Sequence, residues 1–130
     1  MSVTTPDSTY PVTLDDVVQA AAALRGVVVR TPLLENVEAN EALGGRLLLK
    51  AECAQRTGAF KIRGAYYRIK QLSSKERARG AITNSSGNHA LGVALAARLL
   101  GTSALIVMPS DVQAAKMQAV QALGAQVKTF

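Results

Sequence analysis

The chain has 130 residues and a formal net charge of +6, with 48% hydrophobic and 18% charged residues, so it is neither disordered nor fibrous. No apolar run approaches the roughly 18 residues of a membrane-spanning helix, and we expect a cytoplasmic protein without a membrane partner. One cysteine and one histidine exclude an intrachain disulfide and a zinc cluster built from those residue types, so no metal site is expected.

The beginning of the chain predicts a tail followed by one amphipathic helix. Residues 1–12 are expected to be flexible. Thr13 and Asp16 have the spacing of a capping box, which predicts that a helix begins here. Apolar residues then recur at helical spacing as far as Leu24, and Gly26 is expected to end the helix.

From residue 37 onward, predicted strands and helices alternate. In order they are a helix over 37–43, a strand over 46–50, a helix over 60–72, a strand over 81–84, a helix over 89–100, a strand over 104–108, a helix capped by residues 110–113 and ending at 123, and a strand over 125–130. This alternation predicts an α/β fold with a parallel sheet and right-handed crossovers. Because the chain stops in a buried-type strand, we expect a truncated piece of a larger protein.

Seven basic residues lie between positions 61 and 79, which can indicate a nucleic-acid-binding surface. Aromatic residues make up only 4% of the chain, however, and no nucleic-acid-binding motif is present. A solvated basic helix face is the simpler interpretation, so no nucleic-acid partner is expected.

The segment Thr57-Gly-Ala-Phe-Lys61 lies where a turn enters a predicted helix. An unprotonated lysine amine in a desolvated site can form a Schiff base with a carbonyl compound. Most lysines near helix starts are solvated, so this segment alone leaves Lys61 open between a reactive group and a surface residue. Cys53, a few residues earlier, is predicted to be buried without a reactive role.

A second segment, Ser85-Ser86-Gly87-Asn88-His89, joins a predicted strand to the following helix. Glycine permits a tight turn, and a helix N-terminus offers unpaired amides. Ligands of α/β proteins bind at this edge of a parallel sheet, so the loop could hold a carboxylate or phosphate. A plain turn that caps a helix explains the same residues equally well, and His89 by itself is predicted to be structural.

Four motifs occur in order along the chain. They are Arg30-Thr31-Pro32-Leu33, Lys50-x-Glu52, Gln55-x-Thr57-Gly58-x-Phe60-Lys61-x-Arg63-Gly64-Ala65 and Ser85-Ser86-Gly87-Asn88-His89-Ala90-x-Gly92. Together they resemble the N-terminal part of serine/threonine dehydratases, the threonine ammonia-lyase branch of the fold-type II pyridoxal-phosphate enzymes. Ala59 and Leu91 depart from the family pattern, which usually has serine and glutamine there.

The resemblance implies a tryptophan synthase β-like fold, in which a parallel sheet carries helices on both faces as three layers. Residues 13–78 would then belong to the N-terminal part of the large cofactor-binding domain, and residues 79–130 would form most of the small domain. The family's glycine-rich phosphate-binding loop has no counterpart in these residues. A catalytically inactive fragment is therefore kept as an alternative, and the 130 residues alone are expected to be inactive.

The resemblance also implies roles for three residues in binding the cofactor. Lys61 matches the lysine that holds pyridoxal 5'-phosphate and later carries the α-proton. Phe60 matches the aromatic residue packed against the cofactor ring. Asn88 matches the amide that hydrogen-bonds the 3-hydroxyl of that ring.

Ser85, Ser86, Gly87 and His89 match the loop around the substrate carboxylate. Ser86 also matches a hydroxyl that acts as a second acid/base in serine racemases. The implied reaction is dehydration and deamination of L-threonine or L-serine to a 2-oxo acid and ammonia, with a place in isoleucine biosynthesis. Serine racemase-like and 3-hydroxyaspartate ammonia-lyase activities are the alternatives, and a homo-oligomer, a dimer or tetramer, is expected.

Overall fold

The computed structural model describes residues 11–130, so most of the predicted tail lies outside the described residues. The elements are α1 (Leu14–Ala23), β1 (Leu33–Glu35), α2 (Val37–Leu43), β2 (Leu48–Lys50), α3 (Lys61–Lys70), α4 (Ser74–Arg79), β3 (Ala81–Asn84), α5 (Asn88–Leu99), β4 (Ala104–Met108), α6 (Ala114–Ala122) and β5 (Gln126–Thr129). Two one-turn 3-10 helices, Glu52–Ala54 and Arg56–Gly58, precede α3. No helix in residues 11–130 has the length and apolar character required to cross a bilayer.

The capping box predicted for α1 is confirmed. Thr13 N donates to Asp16 Oδ2 at 2.8 Å, and Asp16 N donates back to Thr13 Oγ1 at 3.2 Å. Two of the amides that a helix N-terminus leaves without a backbone partner are thereby satisfied. The helix ends close to Gly26, which has a φ of +73°.

The predicted strand at 46–50 is confirmed in part, but its place in an alternating parallel sheet is wrong. Residues 48–50 form β2, which pairs antiparallel with the unpredicted strand β1, so that Leu34 lies opposite Leu49. Pro32 lies just before β1, where its missing N–H costs no ladder bond, and its carbonyl accepts from Ala51 N at 3.0 Å. Three-residue strands are too short to show periodicity in a sequence.

The C-terminal half confirms the predicted parallel α/β sheet. Its strands lie in the order β3-β4-β5, and both pairs are parallel. α5 packs on β3 and β4, and α6 packs on β5 and α5. Right-handed crossovers that advance in one direction place both helices on the same face. On that face Ile106 and Met108 are fully buried, whereas Ile82 on the opposite face is 71% exposed.

Two helices of the structure differ from the sequence-based prediction. α4 was not predicted, although Ser73 and Glu76 form a second capping box. α6 begins at Ala114, and no side chain of the described residues caps it, so the prediction that residues 110–113 cap this helix is wrong. Ser110 N instead donates to Phe130 O at 2.9 Å, which ties this residue to the end of β5.

The hydrophobic core lies between α3, α5 and the parallel sheet. Its largest fully buried side chains are those of Ile62, Ile106, Met108 and Val120. Helix α5 contributes mainly alanines to this core, and α3 packs more extensively against α5 than any other two elements do against each other. Cys53 is exposed, so its predicted burial is wrong, because it lies in a one-turn helix that turns Glu52 inward instead.

We expect Gly80→Ala to destabilise the fold more than Gly124→Ala. Both glycines have positive φ, +85° and +88°, but a Cβ on Gly80 would clash with Ser103, lying 3.0 Å from its carbonyl oxygen, whereas Gly124 has open space. Positive φ alone costs about 1–2 kcal/mol, and overpacking adds about 1–3 kcal/mol. Urea unfolding followed by circular dichroism would measure both losses, and equal losses would contradict the close approach of Gly80 to Ser103.

Candidate active site

Lys61 is the first residue of α3, directly after Phe60. Its Nζ lies 4.8 Å from the centroid of the Phe60 ring, a cation–π arrangement. The lysine is half-buried, and Phe60 is 56% exposed. A primary amine therefore lies beside an accessible aromatic face.

The turn before Lys61 has a strained backbone. Thr57 and Gly58 both lie in the left-handed region, with φ values of +65° and +68°. That conformation is unusual for a β-branched residue and persists only where surrounding contacts hold it. The turn packs against α5. Ala59, which replaces the usual serine, is 7% exposed between this turn and Phe60.

The loop 85–89 lies at the carboxyl end of β3. Ser85 N donates to Val107 O at 3.1 Å, which continues the sheet ladder, and Gly87 N donates to Ser85 Oγ at 3.3 Å. Helix α5 begins at Asn88, and no side chain of the described residues caps it. The N-terminal amides of a 12-residue helix therefore face the loop without a side-chain cap, which is the usual setting for an anion.

A close helix crossing brings the two predicted segments together. A Cβ built on Gly92 of α5 would lie 3.0 Å from Lys61 C and 3.1 Å from Ile62 N. Asn88 precedes Gly92 by four residues, so both lie on one side of α5. The backbone of Lys61 thus contacts α5, the helix that begins within the loop 85–89.

His89 lines a separate cleft. Its half-buried side chain lines a cleft of about 300 Å³ between α3 and β3, together with Gly64, Arg68 and Ile82. Lys61, Phe60 and the serines of the loop are not among the described residues that line this cleft. His89 thus lies in the first turn of α5 and lines this cleft, whereas Lys61 does not line it.

An ion pair between Arg63 and Glu52, which the sequence analysis did not predict, stabilises the start of α3. Arg63 Nε donates to Glu52 Oε2 at 2.8 Å, and its Nη2 donates to Glu52 Oε1 at 2.6 Å. Thr31 Oγ1 donates to Glu52 Oε1 at 2.5 Å, and Lys50 Nζ donates to Thr31 O at 2.5 Å. These residues lie within the four motifs, so the motifs were the signal that could have located the network.

Gln55 extends the network to the segment after α1. Its Oε1 accepts from Val29 N at 2.9 Å, and its Nε2 donates to Val29 O at 2.8 Å. Gln55 is 4% exposed, and Arg63 Nη2 adds a bond to Val29 O at 3.3 Å. The amide thus acts as a backbone partner for a residue in no regular element. Residues 29–31, the 3-10 turns and α3 are consequently one hydrogen-bonded unit.

The network strongly favours an ionised Glu52. The pKa of Glu52 is lowered to about 2, chiefly by the hydrogen bonds from Arg63. Burial opposes this shift, and the hydrogen bond from Thr31 and the charges of Arg63 and Lys50 contribute to it. The same pairing raises the pKa of Arg63. Two residues after Lys61, the helix is therefore anchored by a charge pair that persists over most of the pH range.

Comparison with known proteins places these features in context. The family described as "Pyridoxal-phosphate dependent enzyme" matches residues 24–130. The chain is 48% identical over 116 residues to an L-threonine ammonia-lyase of Thermotoga maritima, covering 89% of this chain and 29% of that protein. It is 45% identical over 112 residues to an L-threo-3-hydroxyaspartate ammonia-lyase of a Pseudomonas species, covering 86% and 35%.

Solved structures agree with this result. The structure of maize serine racemase matches with a TM-score of 0.85 and 39% identity, over 92% of this chain and 36% of that chain. The chain thus spans about a third of the length of the proteins that it matches.

We expect Glu52→Gln to remove a pH dependence of stability in acid. A carboxyl whose pKa falls from 4.5 to about 2 on folding contributes stability that is full above pH 4.5 and lost as the pH falls toward 2. The shift corresponds to roughly 3 kcal/mol. Urea midpoints of the wild type should therefore fall between pH 4.5 and 2 more steeply than those of Glu52→Gln.

Glu35→Gln is the matched control, because Glu35 pairs with Arg46 on the surface. Its carboxyl also has a lowered pKa, but an exposed pair contributes little stability. An acid profile of Glu52→Gln as steep as that of Glu35→Gln would contradict the role given to the network.

Proposed function

Because the chain belongs to the pyridoxal-phosphate dependent enzyme family, with the fold-type II architecture and only part of the family's length, we propose that Lys61 holds the cofactor in the full chain. We propose further that the full chain dehydrates and deaminates L-threonine or L-serine to a 2-oxo acid and ammonia. The threonine ammonia-lyase relative supports this choice of substrate. The observation that carries the proposal is the contact of the Lys61 backbone with α5, directly behind the loop 85–89.

The chemistry of these residues fits pyridoxal 5'-phosphate. A primary amine, a neighbouring aromatic face and an uncapped helix N-terminus suit an aromatic aldehyde that carries polar substituents. Lys61 would bind the aldehyde carbon, Phe60 would pack on the ring, and Asn88 would hydrogen-bond its 3-hydroxyl. The cofactor, when bound, supplies an electron sink for the charge that develops at the substrate Cα.

The remaining steps belong to side chains and amides of this chain. Ser85, Ser86 and Gly87 would bind the substrate carboxylate, aided by the positive end of the α5 dipole. The assignment of His89 to the same carboxylate stays a prediction, because its side chain lines the cleft between α3 and β3. Lys61 Nζ would remove the α-proton and pass it to the β-hydroxyl, which leaves as water. Water then hydrolyses the released enamine, so one hydroxy amino acid gives one 2-oxo acid and one ammonia.

Racemisation is the second candidate, because Ser86 offers a hydroxyl in the same loop and the matched structures include a serine racemase. Action on 3-hydroxyaspartate is supported by one relative's name alone. The division into domains at residues 78 and 79, the homo-oligomer, the cytoplasmic location and the link to isoleucine biosynthesis stay predictions. The α3–α5 contact crosses that division.

We expect borohydride reduction of the full chain with pyridoxal phosphate to label Lys61. The amine of Lys61 lies beside the exposed ring of Phe60, which would pack on the cofactor ring. Peptide mass mapping would locate the pyridoxyl group, with Lys61→Ala as the unlabelled control. A label on Lys50, which donates to Thr31 O, or on Lys70, beside Tyr66, would refute the assignment.

We expect Ser86→Ala to separate racemisation from elimination. If Ser86 carries a proton on the face opposite Lys61, its removal should lower serine racemisation by about 100-fold or more and leave dehydration within a few-fold. Both rates are measured on one sample, from D-serine and from 2-oxo acid formation. Equal losses would mean that Ser86 acts only by binding the carboxylate in both reactions and carries no proton.

A further inference from the structure

Gly92 lies in the middle of α5, and nothing in its own helix requires glycine. It is buried, and its φ is not positive. The rest of the helix is rich in alanine, and glycine weakens a helix interior relative to alanine. The local cost must therefore be offset by a contact that a side chain would prevent.

That contact is with the backbone of Lys61. A Cβ on Gly92 would lie 3.0 Å from Lys61 C, 3.1 Å from Lys61 O and 3.1 Å from Ile62 N. All three are main-chain atoms, so no flexible side chain can turn away to make room.

The start of α3 also cannot shift freely. Ile62 is 0% exposed in the core, and Arg63 is tied to Glu52 and to Val29 O. A methyl group at position 92 must therefore change the spacing between the Lys61 peptide and α5. Asn88 and the loop before it lie at the beginning of that same helix, so this spacing also sets the distance from Lys61 to them.

We propose that Gly92 is a positioning residue for Lys61. Because Gly92 has no side chain, the backbone of Lys61 can approach α5 closely, just after the loop 85–89. The inference rests on the proposed function, since it gives the spacing a role in cofactor geometry. It predicts that Gly92→Ala folds but holds the cofactor in a less defined orientation.

The test compares Gly92→Ala with Gly64→Ala in the full chain. Gly64 lies in α3 one turn after Lys61, and a Cβ there meets nothing within 4 Å among the described residues. After loading with pyridoxal phosphate, Gly92→Ala should keep its far-ultraviolet circular dichroism. Its visible circular dichroism, measured before borohydride reduction and divided by the amount of cofactor that reduction then traps on Lys61, should fall several-fold. Its kcat should fall about tenfold or more with little change in KM.

Gly64→Ala should stay within about twofold of the wild type in each quantity. A Gly92→Ala protein with unchanged visible circular dichroism per trapped cofactor and unchanged kcat would overturn the proposal. A wild type that traps no cofactor on Lys61 would instead refute the proposed function, so the two failures are distinguishable.

A double-mutant cycle separates positioning from packing. In Lys61→Ala, ethylamine serves as a base that is not tethered to α3. If Gly92 acts through Lys61, adding Gly92→Ala should leave the ethylamine-rescued rate nearly unchanged. An equal loss in both backgrounds, or loss of far-ultraviolet circular dichroism in both, would assign Gly92 to helix packing alone and contradict the proposal.

Discussion

The close approach of α3 to α5 is the constraint on which the rest of the described structure depends. At Gly92 the two helices come so near that the main chain of Lys61 fills the space of a side chain. The alanines of α5 extend this contact, and Ile62 completes the core beneath it. One helix begins at Lys61, the proposed cofactor lysine, and the other has an N-terminus without a side-chain cap among the described residues, so packing and the geometry of the candidate site arise from the same surface.

The second constraint is polar and lies on the other side of α3. Glu52 is held by Arg63 and Thr31, and Gln55 holds both backbone groups of Val29. Hydrogen bonds to charged groups are stronger than neutral ones, and in a site that is mostly shielded from water they are costly to break. The strained turn at Thr57 lies between these bonds and α5, which explains how an unfavourable backbone conformation is held just before Lys61.

Stability is distributed unevenly over the molecule. Of the four largest fully buried side chains, those of Ile106, Met108 and Val120 belong to the parallel sheet and α6, and that of Ile62 belongs to α3. In contrast, α1, α2 and the antiparallel pair bury none of their residues. Leu14, Val17 and Leu34 are each more than half exposed. The N-terminal part is therefore attached to α3 by the hydrogen bonds around Val29 and Thr31 and by Leu24, which is buried in the core just after α1.

The strongly periodic elements were predictable from the sequence, namely α1 with its Thr13 cap, the helix that begins at Lys61, and the alternation of strands and helices from Ala81 onward. The sequence also singled out Lys61 and the loop 85–89, because these motifs are local and keep their spacing along the chain. It did not reveal the strand Leu33–Glu35, the exposure of Cys53, or the partners of Glu52 and Gln55. The strand pairing and the hydrogen bonds join residues 11 to 26 positions apart, whose pairing leaves no periodic signal. Only the tertiary structure showed why Gly92 is a glycine, since the atoms that require it belong to another helix.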